Sequence, residues 1–155
     1  GDVQIIRSGN GISHAEELES NSEIFQIWFD PDLSKTLKKE ASYDDYKSKD
    51  FKIIKTSNKL KKIIFGDGSP MKMDTEGILI NEYEFDIGPH KHEILKNSFH
   101  SIFIISGTIK LNQKELRRGT FLKLGDIDEF DFQSLEKTKL FEIISPRYTS
   151  YNTYV

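Results

Sequence analysis

The chain has 155 residues, of which 36% are apolar and 30% charged, and its formal net charge is −3. This length suits one domain with its own core, and so small a net charge gives no indication of a nucleic-acid partner. The absence of cysteine excludes disulfides, thiolate metal sites and a cysteine nucleophile, and no apolar run approaches the roughly 18 residues of a membrane span. We therefore expect a cytoplasmic protein that binds neither membranes nor nucleic acid.

Short apolar segments rich in β-branched and aromatic residues dominate the first half of the chain, as is typical of strands. They are residues 3–6, 24–29, 51–54, 62–65 and 78–85. The last of them ends in strict alternation, which predicts that Asn81, Tyr83 and Phe85 share one face of a strand. The region from Pro31 to Tyr46 has some helical spacing and predicts one short helix.

The second half continues the strand pattern, with Gly, Asp and Asn at the turns. Its predicted strands are residues 99–106, 108–112, 120–124, 130–132 and 140–144. About ten short strands separated by such turns predict an all-β sandwich or barrel.

Three of the four histidines lie within eleven residues. His90 and His92 are two apart, so on an extended strand both point to the same face. His100 opens the next predicted strand and can come beside them. Three imidazoles on one inner face would suit Fe, Ni, Zn, Mn or Cu. The alternative is that these are exposed histidines without a metal.

The same segment resembles the first cupin motif. In that motif a Gly precedes a His-x-His pair, and a carboxylate stands seven residues before a closing Gly. Residues 88–92 read GPHKH, and His100 takes the place of the carboxylate before Gly107. Residues 119–126 resemble the start of the second cupin motif. That motif normally ends in a His ligand, for which the acidic pair at 128–129 is the nearest candidate here.

A more specific resemblance lies at the other end of the chain. Its elements are residues 1–4, which read GDVQ, residues 9–16, which read GNGISHAE, residues 25–28, which read FQIW, and then Pro31. This string resembles the pirin family of two-barrel cupins, at the close of the first barrel and the entry to the linker. The segments 66–88 and 106–146 resemble the second barrel of that family.

The resemblance implies an all-β fold with a cupin-type β-barrel, that is, a jelly-roll-like double-stranded β-helix, and a partial first cupin module. We predict an N-terminal barrel remnant at 1–31, a linker at 32–49, a C-terminal barrel at 50–146 and a tail at 147–155. A partial barrel leaves strand edges uncovered. The remnant should therefore dock on the second barrel or pair with another chain, and we expect a homo-oligomer.

The resemblance also implies a metal cofactor. Pirins bind one metal ion, commonly iron, through a His-x-His pair followed by a His-x-Glu pair. His14 and Glu16 match the second pair, and the first pair would lie upstream of Gly1. His90 and His92 belong to the second barrel. The expected cofactor is a divalent metal, Fe first and Ni, Mn, Zn or Cu as alternatives, or none if the site has degenerated.

Two functions follow from the resemblance. Some pirins resemble quercetin 2,3-dioxygenases, in which a metal ion binds a flavonol and lets it react with O2. In that case Glu16 is the catalytic residue and accepts the hydroxyl proton of a small aromatic ligand. His90, His92 and His100, or a second chain, would complete the metal site. The alternative is a non-enzymatic binding or regulatory cupin that has lost its metal.

Overall fold

The computed structural model describes residues 1–153, so the last two residues of the predicted tail lie outside the described part. Strands carry most of its regular structure. The elements are β1 (Val3–Arg7), α1 (Leu33–Thr36), β2 (Ser42–Tyr46), a 3-10 turn (Ser48–Asp50), β3 (Lys52–Lys55), β4 (Lys59–Phe65), β5 (Leu79–Phe85), β6 (Gly88–Glu93), β7 (Ser98–Ser106), β8 (Thr108–Leu111), β9 (Lys114–Arg117), β10 (Phe121–Leu124), β11 (Glu129–Ser134) and β12 (Thr138–Pro146). Among the described residues no helix is long and apolar enough to cross a membrane.

The strands form three antiparallel sheets. The largest has the order β10-β7-β12-β5-β4-β3, the second has the order β6-β11-β8-β9, and β1 pairs with β2 alone. Neighbours in these sheets are mostly distant along the chain, as β12 between β5 and β7 illustrates. The two larger sheets enclose the main core, and together they confirm the predicted all-β barrel.

Strand β5 separates the main core from a second one. Asn81, Tyr83 and Phe85 are buried on the face that points into the barrel, as their alternation predicts, and the two aromatic rings belong to the main core. Ile80 points the opposite way. It joins a second cluster with Phe51, Ile64 and Met71 on the outer face of the six-stranded sheet.

The N-terminal segment covers this outer face. Val3 and Ile5 of β1 pack against the second cluster. Phe25 stacks on Phe103 with ring centroids 5.2 Å apart and meets Phe141 edge-on at 5.1 Å. The predicted remnant therefore docks on the six-stranded sheet of the same chain. The predicted domain boundaries and the homo-oligomer stay predictions.

Two features of the N-terminal part differ from the sequence prediction. Residues 24–29 form no strand. The ring of Phe25 packs on Phe103 of β7 and Phe141 of β12. Each of these strands already has a neighbouring strand on both sides, so neither offers an edge with which residues 24–29 could pair. The predicted linker contains the expected short helix α1. It also contains β2, which pairs with β1 in the register Val3 to Tyr46, so the linker holds part of a sheet.

Two glycines with nearly the same positive φ differ in the space beside them. Gly107 has φ +86°, and a Cβ added there would lie 2.5 Å from Thr138 Oγ1 and 2.8 Å from the Lys137 carbonyl oxygen. Gly119 has φ +87° and open space within 4 Å. The two positions form a matched pair. An alanine would have similar backbone strain at both, but its Cβ would clash with neighbouring atoms only at position 107.

We expect Gly119→Ala to lower the free energy of unfolding by roughly 1–2 kcal/mol, the cost of a left-handed backbone for an alanine. Gly107→Ala should lower it by at least about 3 kcal/mol, because overpacking against backbone adds to that strain. Urea denaturation of both variants measures the difference. Equal losses would show that the close approach at Gly107 is absent in solution.

Candidate metal centre

Strands from both large sheets bring two histidines together inside the barrel. His90 and His92 lie on β6, and both point inward, 8% and 4% exposed, as their spacing predicts. His100 lies on β7 in the opposite sheet and is 1% exposed. The His92 and His100 ring centroids are 6.3 Å apart. The barrel interior thus collects imidazoles from two separate strands.

A carboxylate from β12 joins these two rings. Glu142 Oε1 accepts hydrogen bonds from His92 Nε2 at 2.7 Å and from His100 Nδ1 at 2.8 Å. The Asn81 side-chain amide donates to the other oxygen, Oε2, at 3.4 Å. One ligand atom from each of His92, His100 and Glu142 lies within 4.8 Å of the others, so this group could hold a metal ion. We call these three residues the buried triad.

The buried triad keeps its carboxylate ionised. Burial raises the pKa of Glu142, but the hydrogen bonds from His100 and His92 outweigh it and lower that pKa to about 2. Burial also raises the pKa of the nearby Tyr83 phenol, and the negative charge of Glu142 adds to the effect. At neutral pH the site is therefore an anionic acceptor surrounded by donors and a neutral phenol.

Aromatic rings line the space around the triad. His92 meets Tyr83 edge-on with centroids 5.0 Å apart and lies 5.4 Å from the Phe130 ring. Such rings keep bulk water away, which strengthens every electrostatic interaction inside. On the far side of His100, its Nε2 accepts the Leu95 backbone N–H at 2.9 Å. Both ring nitrogens of His100 are thus engaged.

His90 lies apart from the triad. Its Nε2 donates to the Asp86 carbonyl oxygen at 2.7 Å, and its ring packs against Phe85 with centroids 4.8 Å apart. It also lines a surface groove of about 550 Å³, whose other lining residues are Pro89, Lys91, Lys110, Asp131, Phe132 and Gln133. The structure therefore separates His90 from His92, although the two share a face of β6.

His14 and Glu16 lie in the exposed N-terminal segment. Their side chains are 40% and 34% exposed, and His14 Nε2 is 3.9 Å from Glu16 Oε1. Among the described residues, the triad is the one group of three or more candidate ligands that come together, and it includes neither of them. Their roles in metal binding and catalysis stay predictions.

Glu142 is absent from the residues predicted above. The carboxylate expected at 128–129 lies on the surface instead, where Glu129 pairs with Lys91 at 2.6 Å. Alternation along β12 could have identified Glu142, because it shares a face with Leu140 and Ile144. A single acidic residue on an otherwise apolar inner face indicates a paired, buried carboxylate.

The pKa of Glu142 predicts acid sensitivity of the metal-free protein. Its folded-state pKa lies below the usual value near 4.5, so its contribution to stability is present above about pH 5 and is lost as pH falls toward about 2. The loss should reach about 3 kcal/mol. Urea denaturation in EDTA across this pH range measures it. The difference in free energy of unfolding between the unmodified chain and Glu142→Gln should shrink as the pH falls. A difference that stays constant with pH would contradict the prediction.

No protein-family model matches the chain, and no curated protein matches its sequence. Its structure is similar to GK1651 from Geobacillus kaustophilus, with a TM-score of 0.78 and 20% identity, over 96% of this chain and 65% of that one. It is also similar to quercetin 2,3-dioxygenase from Acinetobacter baumannii. One structure of that protein gives a TM-score of 0.61 at 14% identity, over 79% of this chain and 48% of that one. Another structure of quercetin 2,3-dioxygenase from the same organism gives a TM-score of 0.64 at 12% identity, over 77% of this chain and 40% of that one.

The chain thus spans less than two thirds of the length of each of these proteins. At such identities the similarity concerns the fold. Together with two antiparallel sheets that enclose one core, it establishes that the chain has a jelly-roll-like β-barrel fold of the cupin type.

Proposed function

We propose that this chain is a pirin-like cupin whose buried triad binds a divalent metal ion, with iron as the first candidate. We propose further that it acts as an oxidoreductase of the quercetin 2,3-dioxygenase kind on a small aromatic substrate. The observation that carries the proposal is the convergence of His92, His100 and Glu142 on one another inside the barrel. Two histidines and one carboxylate are a ligand set that proteins use for non-haem ferrous iron. The similarity in fold to quercetin 2,3-dioxygenase supports the choice of chemistry.

Each residue of the triad has a distinct part in this proposal. The two imidazoles supply neutral nitrogen donors, and Glu142 supplies the negative charge that partly balances a dication. Asn81 orients the carboxylate through its hydrogen bond to Oε2. When bound, the metal ion would supply Lewis acidity toward an oxygen of the substrate. Tyr83 stays protonated beside Glu142 and can donate a hydrogen bond to it.

The pirin resemblance offers a second place for the metal. His14 and Glu16 would bind it there, and Glu16 would act as the proton acceptor. Catalytic metal sites usually have three protein ligands, so these two need further ligands from a second chain or from additional residues. The exposed position of both side chains favours the triad over this pair.

Metal analysis with matched variants tests the proposal. After anaerobic loading with Fe²⁺ and desalting, the unmodified chain should retain about one ion per chain. Glu142→Gln should retain little, and His14→Ala should retain as much as the unmodified chain. Loss of the ion in His14→Ala and retention in Glu142→Gln would indicate that the metal binds at His14 and Glu16 instead. Oxygen uptake with quercetin then tests the chemistry, and a rate no higher than that of free Fe²⁺ would contradict the dioxygenase proposal.

The alternative is a non-enzymatic binding or regulatory cupin. The low exposure of the triad favours it, because Glu142 and His100 are each 1% exposed, which leaves no direct path for a substrate in this conformation. The surface groove beside His90 would then be the better ligand site. In that case the rate of oxygen consumption in the presence of quercetin stays at the background rate, whether or not the protein is loaded with metal.

A homo-oligomer is also part of the proposal. Strand β3 lies at one edge of the six-stranded sheet, and its Ile53 and Ile54 are 53% and 43% exposed. An exposed apolar strand edge of this kind is a surface on which another chain can pair. Sedimentation velocity should show a dimer or a larger species, and a single monomer boundary at micromolar concentration would contradict this part.

A further inference from the structure

The hydrogen bonds of His100 fix the position of its proton. Its Nε2 faces the backbone N–H of Leu95 at 2.9 Å. A backbone N–H can only donate, so Nε2 must carry a lone pair. A neutral imidazole has one lone pair and one N–H, so the proton is on Nδ1. That N–H donates to Glu142 Oε1 at 2.8 Å.

This arrangement conflicts with metal binding by the same ring. Nδ1 is the nitrogen that faces Glu142, so it is the atom that would bind a metal held by the triad, and a ligating nitrogen needs its lone pair. The proton must then move to Nε2, where it would point at the Leu95 N–H. Two donors facing each other at this distance repel, so the Leu95 hydrogen bond cannot persist.

We propose that the Leu95 backbone amide competes with metal binding at the triad, so that a metal ion enters only when the turn between β6 and β7, residues 94–97, releases His100. The inference rests on the proposed function in one respect, namely that the triad is the metal site. It adds a conformational step to that site and assigns it to a single backbone hydrogen bond.

The surroundings of Leu95 allow a local movement. On one side, the buried Ile94 donates its N–H to the Asp128 carbonyl oxygen at 2.8 Å. On the other, the Asn97 carbonyl oxygen accepts the Arg147 N–H at 3.0 Å. The Leu95 side chain between them is 47% exposed. A rotation confined to residues 95–96 can therefore break the contact with His100 while both ends of the turn stay in place.

Proline and alanine at position 95 separate the backbone N–H from the side chain. Leu95→Pro removes the N–H, whereas Leu95→Ala keeps it and loses the same apolar side chain. Both are made in a His14→Ala background, which removes the other candidate site. Isothermal titration with Zn²⁺ should give an affinity about fivefold or more higher for the proline variant, since one hydrogen bond no longer competes. Equal affinities would overturn the inference.

NMR of the unmodified chain provides a second measurement that does not depend on the folding of the proline variant. In the metal-free protein, ¹⁵N shifts should place the His100 proton on Nδ1, and the Leu95 amide should be protected from exchange. With Zn²⁺ bound, the proton should be on Nε2 and the protection should be lost. Zn²⁺ binding at the triad with both features unchanged would overturn the inference and leave the metal site intact.

The remaining outcomes distinguish the inference from the proposed function. Zn²⁺ binding by the proline variant, with none by the alanine variant or the unmodified chain, would support the competition. The same result would contradict the proposed function, in which the triad of the unmodified chain binds a metal ion. An absence of Zn²⁺ binding in all three proteins would overturn both.

Discussion

Replacing Glu142 by alanine is expected to lower the free energy of unfolding of the metal-free protein by about 3–5 kcal/mol, the usual cost of breaking a buried charged network from one side. The substitution leaves the N–H groups of His92 and His100 without their acceptor, and both rings are almost completely buried. It also removes the side chain that links β12 to β6 and β7. Urea denaturation at neutral pH in EDTA measures the loss.

Glu16→Ala is the control for this substitution. It removes a carboxylate beside a histidine in an exposed segment, where a surface change usually alters stability by no more than about 0.5 kcal/mol. A loss for Glu142→Ala as small as that for Glu16→Ala would mean that the three side chains do not form a hydrogen-bonded group in solution.

The second large effect concerns the aromatic core that supports the triad. Phe85 is 0% exposed, and its ring lies 5.1 Å from that of Phe132 and 5.7 Å from that of Tyr83. We expect Phe85→Ala to lower the free energy of unfolding by about 3–5 kcal/mol, because it removes apolar contact and leaves a cavity between the two large sheets.

The matched control is Phe121→Ala on the edge strand β10, where the ring is 59% exposed. Its effect should be below about 1 kcal/mol. Thermal unfolding followed by circular dichroism should therefore separate the two variants by several degrees. Similar midpoints would contradict the assignment of Phe85 to the centre of the core.

Much of the fold can be predicted from local sequence patterns because alternation reports which face of a strand is buried. Strand β5 is the best example, since its inward residues Asn81, Tyr83 and Phe85 are all buried. The sequence pattern does not indicate strand β9, because Lys114–Arg117 has one apolar residue and three charged ones. It is recognisable only through its pairing with β8.

The segment 24–29 shows the limit of such patterns. It is as apolar as a strand, yet a strand also needs a partner with free backbone groups. Phe25 instead packs on Phe103 and Phe141 from above the sheet. A composition-based prediction detects the apolar character and cannot tell whether the backbone finds a partner.

Sequence patterns predict only part of the candidate site. The spacing of His90 and His92 correctly predicts a shared inward face, but it does not show that only His92 reaches His100. Glu142 lies 42 residues after His100 along the chain. Their contact depends on the pairing of β12 with β7, which places Glu142 opposite Ile102 and Ile144 opposite His100. That register is set by the whole sheet and is not visible in either segment alone.

Anomalous diffraction from crystals of the Fe²⁺- or Zn²⁺-loaded chain tests most directly whether the buried triad is a metal site. We predict one strong peak between His92, His100 and Glu142, with the Leu95 N–H no longer facing His100. A peak beside His14 and Glu16 alone, or an intact hydrogen bond between His100 and Glu142 with no metal near it, would contradict the proposal.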